Sequence, residues 1–347
     1  VSSGAGIKEN KFKEIVEQVA GVGYQRHADT LVKHAGLNLP DAKRTIKQLP
    51  PLVGEKARSA IVISAGPSVY KRNSIKRIAA QGFRGSVIAV DGAYIACLKA
   101  GLIPDFVLTL DPHPSRIVRW FGDHDFEKHA EADDYFARQD LDMAFRKNSI
   151  EQNQEHIKLV DQQGHLSRFI IASSAPRNVV KRLKEAKGDL YWWNPLVDDP
   201  KRPDSLTKRI YAINKLPCMA TGGTVGTASW VFANSILKIP RIGLVGMDFG
   251  YYYDTPKEKT QTYYELIHHL EGDSDIDQCF MDFEFPLTKE KFYTDPTYYW
   301  YRRNFLGLLE KKTSETYNCT EAGTLFSENI QCVNLDSFLG SMRGERA

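Results

Sequence analysis

The apolar positions of the chain fall into short runs, and each run ends abruptly in small or acidic residues. Ala60-Ile61-Val62-Ile63 is β-branched and of strand length, and it breaks at once into Ser64-Ala65-Gly66-Pro67-Ser68, turn chemistry followed by a helix start. The unit repeats. Gly85 to Val90 ends in Asp91-Gly92, a helical run from Ala93 to Ala100 is closed by Gly101, and Asp105 to Leu110 ends in Asp111-Pro112. Further runs follow at Arg168–Ala172, which ends in Ser173-Ser174-Ala175-Pro176 before a helix over Arg177–Lys187, and at Leu190–Trp193. Arg241 to Asp248 reads as a last central strand, and Thr316 to Cys319 as a short one. Apolar runs without alternation suit strands covered on both faces, so the expected fold is α/β: a Rossmann-like, mostly parallel sheet flanked by helices.

Helical periodicity dominates both ends. Phe12, Ile15, Val16 and Val19 share a helical face, a second run from Tyr24 to Ala35 is expected to stop before Gly36, and Lys43 to Leu49 to add a short third helix before a Pro50-Pro51 linker. Thr224 or Thr227 can cap an apolar helix running through Trp230, Val231, Ala233, Ile236 and Leu237. Pro296 to Lys312 reads as a long amphipathic helix with Tyr298, Tyr301, Phe305, Leu308 and Leu309 on one side, and Arg302 and Arg303 available to anions; Val333 to Phe338 forms a short capped helix. The expected organisation is a helical N-terminal region over 1–51, one sheet domain over 52–340 with a C-terminal helical extension and a polar insertion at 122–164, and a tail at 341–347. The insertion carries Asp123, Asp125, Glu127, His124, His129 and His156, with His165 directly after it. Their spacing matches no metal motif, so a solvated excursion is expected.

Charge narrows the partners. With 46 basic against 43 acidic side chains among 347 residues, no strong field favours nucleic acid. No apolar run approaches the ~20 residues of a membrane helix, and no signal-peptide pattern is visible. Five scattered cysteines without a C-x-x-C pair fit a reducing compartment, so a cytoplasmic location is expected.

The candidate chemistry lies where strands end. In an open α/β sheet ligands bind outside the carboxyl ends of the strands, which here deliver the Gly66 turn, Asp91, Asp111 and Asp248. A second glycine stretch, Thr221-Gly222-Gly223-Thr224, allows close backbone approach, and amides at the helix start behind it suit a phosphate or carboxylate. Neither stretch is a P-loop or a G-x-G-x-x-G, and each equally suits a tight turn with helix packing. Tyr251-Tyr252-Tyr253 and Tyr263-Tyr264 offer rings with hydroxyls for a sugar, base or pterin, or else for a lid or a homo-oligomer contact.

The order of these motifs resembles the MptE-like group, a former domain of unknown function that includes the motility-associated factor (Maf) glycosyltransferases. The resemblance is carried by Ser64-Ala65-Gly66-Pro67-Ser68, Ala89-Val90-Asp91, Leu98 to Val107, Asp111-Pro112, Thr221 to Ala228, Leu244 to Tyr251, and Tyr317 to Gly323. It implies a Rossmann-like domain related to bacterial sialyltransferases and one of two chemistries. One is transfer of a sialic- or nonulosonic-acid sugar from a CMP donor. The other is transfer of diphosphate from ATP to 6-hydroxymethyl-dihydropterin with Mg²⁺. The chain departs from the usual pattern at Met247, Phe249 and Ala322.

For sugar transfer, Gly66, Pro67, Ser68 and the stretch Thr221, Gly222, Gly223, Thr224 would hold the nucleotide phosphate, with Asp91 and Asp248 completing the nucleotide site. His268, His269 or His113, the last beside Asp111, would take the acceptor proton. No cofactor is then required, and the partners are a nucleotide-sugar donor and a glycan or protein acceptor. For diphosphate transfer, Asp111 and Asp248 would bind Mg²⁺, and Arg116 or Arg177 would clamp the phosphates of ATP. The helical N-terminal region and the aromatic C-terminal region are extra walls that suit a large acceptor, so glycosyl transfer is the expected function. The pterin-type pyrophosphokinase is the alternative, and a non-catalytic nucleotide-binding scaffold the third reading.

Overall fold

The computed structural model describes residues 12–17, 28–114, 120–126, 128, 143–260, 263, 266 and 273–342. Its strands, in chain order, begin with β1 (Ser59–Ile63), β2 (Ser86–Val90), β3 (Phe106–Thr109) and β4 (Arg168–Ala172). They continue with β5 (Asp189–Leu196), β6 (Cys218–Ala220), β7 (Arg241–Val245) and β8 (Tyr251–Tyr252). The last are β9 (Met281–Glu284), β10 (Lys291–Thr294), β11 (Glu315–Asn318) and β12 (Gln331–Cys332). Among the described residues, nine of these make one sheet in the order β12-β11-β7-β1-β2-β3-β4-β5-β6. Every pairing in it is parallel. The expected sheet is thus present, and more uniformly parallel than the sequence required.

Burial on both faces explains the unbroken apolar runs. Ala60, Val62, Ile88, Leu108, Ile170 and Leu244 face Trp230, Phe232 and Phe305 on one side. Their alternates Ile61, Ile63, Val87 and Ala89 face Ile75, Ile78, Cys97 and Phe338, while Val107, Phe169 and Ile171 face Tyr94, Val160 and Leu183. β8, β10 and β9 form a small antiparallel sheet whose first strand holds Tyr251 and Tyr252 of the expected tyrosine cluster. No helix among the described residues is long and apolar enough to cross a membrane.

The N-terminal region departs from expectation in two places. The helix expected to stop before Gly36 runs over 28–38, because the Gly36 position is open and Asn38 is anchored: its Nδ2 donates to the carbonyls of Ser173 and Ala175 at 2.9 and 2.7 Å. Lys43 to Leu49 is no regular helix. Thr45 bridges Trp192 in strand fashion, and a single 3₁₀ turn, Ile46–Gln48, follows. The reason lies in β6, which pairs only with the far half of β5, so the near half needs another backbone partner, and Arg44 accepts the Trp192 amide. Val19 lies outside the described residues.

The expected solvated excursion at 122–164 is corrected in its described part. Met143–Gln163 is a helix that buries Asn153, His156, Ile157 and Val160 against the sheet layer, and Phe121 and Phe126 are buried beside it. Arg182, 3% exposed, clamps this addition in place. It donates from Nε to the Phe121 and Gly122 carbonyls, from one terminal nitrogen to the Ile157 carbonyl, and from the other to Asp161 at 2.6 Å. Arg182→Met should therefore lower unfolding stability by on the order of 2–4 kcal/mol, since buried carbonyls lose a charged donor. Urea denaturation against Lys181→Met, whose side chain is 69% exposed, measures it; equal midpoints for the two variants would contradict the clamp.

Candidate functional site

The sheet changes direction at β1. From β1 the chain steps to β2 on one side, whereas β7 lies on the other, so the segments leaving β1 and β7 diverge at their carboxyl ends. Ser64 to Ser68 leaves β1, and Gly246-Met247-Asp248 leaves β7. The two are tied: Ser64 and Gly66 amides donate to the Val245 and Gly246 carbonyls, both at 2.9 Å. A Cβ at Gly66 would stand 2.5 Å from the Gly246 oxygen and 2.7 Å from Asp248 Cγ, so only glycine fits. Asp248, 4% exposed, accepts the Ser68 amide on Oδ2 and the Ser68 hydroxyl on Oδ1. Burial pushes its carboxyl up to about 6, although the two Ser68 bonds and the nearby Arg72 oppose the shift. The turn expected to hold a phosphate is thus bound to the chain's own carboxylate.

The second glycine bend reaches the same rim from the far edge. Thr221 to Thr224 leaves β6, and the helix Val225–Val231 runs back beneath the centre of the sheet, where Ala228 and Trp230 join the core under Val62 and Ile88. Gly226 thereby comes against Ser64; a Cβ there would lie 2.6 Å from Ser64 Oγ. Gly222 and Gly223 take φ of 65° and 103°, a region that disfavours side chains. Thr224 and Thr227 cap each other reciprocally, and Thr221 Oγ1 accepts the Gly223 amide at 3.2 Å. An incoming anion would therefore meet the amides of Gly222, Val225 and Gly226. Beside them Ser64 Oγ is buried with no hydrogen-bond partner among the described residues.

An aromatic wall stands over this bend. The helix Pro296–Leu309 is capped by Asp295, whose Oδ1 accepts the Tyr298 amide at 2.8 Å and whose Oδ2 accepts the Tyr251 hydroxyl at 2.9 Å. Tyr251 stacks on Tyr293 and leans on Tyr298, both at 5.3 Å, and Tyr298 leads to Tyr301. Burial raises Tyr298, and raises Tyr293 to about 12, so both are neutral phenols at ordinary pH. Tyr301 and Trp300 then touch the bend at Gly223.

Across the rim, Asp91 is buried at the end of β2, with Oδ1 accepting the Gly92 amide at 2.8 Å. Asp111 ends β3, and its Oδ1 accepts the His113 amide, also at 2.8 Å. The 28–38 helix closes the end of β4: besides Asn38, His34 Nδ1 donates to the Ser174 carbonyl at 2.9 Å, and burial lowers the His34 imidazole. Arg177, expected as a phosphate clamp, binds Asp41 and Asn38 instead. His268, His269 and Arg116 lie outside the described residues. The pair proposed for Mg²⁺ does not fit that ion, because Asp248 is buried with both oxygens on Ser68 and is not open beside Asp111. No individual role was legible in the sequence for Ser64, Gly226, Trp300 or Asn38. The first three become visible only once the glycine helix folds back under β1, and Asn38 carries no motif at all.

Comparison with known proteins places these features. Residues 34–127, which contain β1 to β3 with Asp91, Asp111 and His113, match the family described as 6-hydroxymethylpterin diphosphokinase MptE-like. An uncharacterized protein of Treponema pallidum (strain Nichols) is 32% identical over 110 residues, 30% of this chain and 50% of that protein. The solved MAf glycosyltransferase from Magnetospirillum magneticum AMB-1 has a similar fold, with a TM-score of 0.54 at 15% identity over 89% of this chain and 38% of that one. The chain thus spans half the length of this curated relative, and less of the solved one.

Two outcomes follow from this geometry. A carboxyl whose native value is raised contributes stability that is complete below its unfolded value of 3.8 and is lost as pH rises through about 6. Asp248→Asn should flatten the stability profile between those values relative to the wild type, by on the order of 3 kcal/mol; parallel profiles from denaturant titrations at each pH would refute the assignment. Gly223→Val should lower the melting temperature, because its Cβ would fall 2.5 Å from Tyr301 Cδ1 at a strained φ. An unchanged melting curve would mean that the bend is not held against Tyr301.

Proposed function

We propose, for a chain with an MptE-like segment at 34–127 inside a fold like that of a Maf glycosyltransferase, that it transfers a sialic- or nonulosonic-acid-type sugar from a CMP donor to a hydroxyl of a glycan or protein acceptor. The observation that carries this reading is the meeting of two glycine bends on one rim, where the unpartnered Ser64 hydroxyl faces the start of the glycine helix. Amide and hydroxyl donors gathered at one bend suit the charge that grows on a departing phosphate. In this reading the CMP phosphate rests against the amides of Gly222, Val225 and Gly226 and the Ser64 hydroxyl. The acceptor oxygen bonds to the anomeric carbon, the bond from that carbon to the phosphate oxygen breaks, and CMP leaves with the electron pair. The acceptor proton passes to His113, whose loop is held by Asp111. Asp91 shapes the floor between the bends, and neither metal nor cofactor takes part.

The family description over 34–127 favours a second reading, diphosphate transfer from ATP to a hydroxymethylpterin. It needs Mg²⁺, for which Asp111 remains but Asp248 does not fit.

Thermal shift separates the readings, since a ligand that binds only the native state raises its stability. CMP should raise the melting temperature equally with Mg²⁺ and with EDTA. Stabilisation by ATP in Mg²⁺ alone would move the assignment to the pyrophosphokinase, and no response to any nucleotide would leave a scaffold.

A further inference from the structure

Tryptophan is large and largely apolar, and folded chains hide most of it. Trp192, Trp193 and Trp230 obey, all being fully buried in the core. Trp300 is only partly buried: it sits on the helix Pro296–Leu309, and among the described residues it is absent from the side chains packed on the main core, which Tyr298 and Tyr301 join. Its contacts are the edge of Tyr301, with ring centroids 5.4 Å apart, and the Gly223 backbone, where a Cβ would lie 3.1 Å from Trp300 Cζ3. The other partly buried tryptophan, Trp120, instead sits over Gly92 and packs on Phe121.

Gly223 lets the bend run flush against the indole, and its φ of 103° keeps a side chain from standing between ring and bend. The indole is braced by Tyr301 and keeps part of its surface in solvent, beside the amides assigned to a phosphate. We infer that Trp300 is the stacking platform for the nucleoside carried by that phosphate, and that it discriminates nucleotides from bare phosphates. The inference rests on the nucleotide reading given above but names a residue and a selectivity which that reading does not need. A flat π surface accepts a base through its face, and stacking of this kind contributes enough to be seen when the ring is removed.

The test is CMP binding by isothermal titration, with inorganic phosphate and ribose 5-phosphate as competitors, for wild type, Trp300→Phe and Trp300→Ala. Trp300→Ala should weaken CMP by about ten-fold or more and leave the phosphate competition constant unchanged. Trp300→Phe, which keeps a ring and protects against loss of the fold, should stay within about three-fold of wild type. Equal CMP affinity in wild type and Trp300→Ala overturns the platform while the donor reading stands. A loss of phosphate and CMP binding in equal measure also overturns it, because the residue would then only support the bend. Absence of CMP binding by the wild type removes both the donor reading and the platform.

Discussion

The close crossing of the segments leaving β1 and β7 is the constraint on which the remaining site geometry depends. Gly66 lies so near the Gly246 carbonyl and the Asp248 carboxyl that no Cβ can enter, and Ser68 binds the carboxylate through both its amide and its hydroxyl. A buried carboxylate is costly unless bonded, so the Ser68 donors and Asp248 must fold together. The same clamp reaches β11. Gly323 packs on the Asp248 backbone with φ of 83°, and the Thr324 amide donates to the Asp248 carbonyl at 2.8 Å. Glu321 of that loop binds Arg77 at 2.7 Å and the Leu335 amide at 2.9 Å, which carries the tie to the C-terminal helix. The motifs at Gly66, Asp248 and Gly323 are therefore one structural knot and not three separate ligand loops.

That knot explains what was legible in the sequence and what was not. Strands buried on both faces announce themselves as apolar runs, so β1 to β5, β7 and β11 could be read directly. β6 is only Cys218–Ala220, too short for a pattern, and the helix Leu206–Asn214 begins just past a Pro- and Asp-rich stretch, where Ser205 and Asp198 hold its first turn. The three-stranded sheet of β8, β9 and β10 is hidden because its tyrosines point at one another and at Asp295, leaving no clear alternation. The helix from Thr224 contains a π turn, Phe232–Ile236, invisible in periodicity; it aims Asn234 at the amides of Thr313 and Ser314.

For the site, sequence could say which residues reach the carboxyl rim but not what each one binds there. Gly66 and Gly223 do share that rim, as strand ends required. Asp248 is a partner within the fold because a helix start accepts an internal carboxylate as readily as a ligand. Arg177 went to Asp41 in the same way: the N-terminal region packs across the end of β4, and its carboxylate takes the charge. Ser64 illustrates the converse. The sequence puts it in the turn after β1 but gives its hydroxyl no role, and that hydroxyl gains a neighbour only because the glycine helix returns to the centre of the sheet.

The positions where the chain departs from the resembled pattern argue in the same direction. Met247, Phe249 and Ala322 are all buried. Met247 Cε lies 3.5 Å from the Cβ position of Gly226, Phe249 packs on Phe305 of the aromatic helix, and Ala322 joins Phe285 and Phe292 under the small sheet. Met247 and Phe249 therefore lie between the glycine helix and the aromatic helix, and Ala322 lies beneath the small sheet. Because interiors are close-packed, a change of side-chain volume there shifts the wall relative to the bend. The seating of the aromatic helix against the bend at Gly223 thus depends on buried side chains that do not themselves reach the bend.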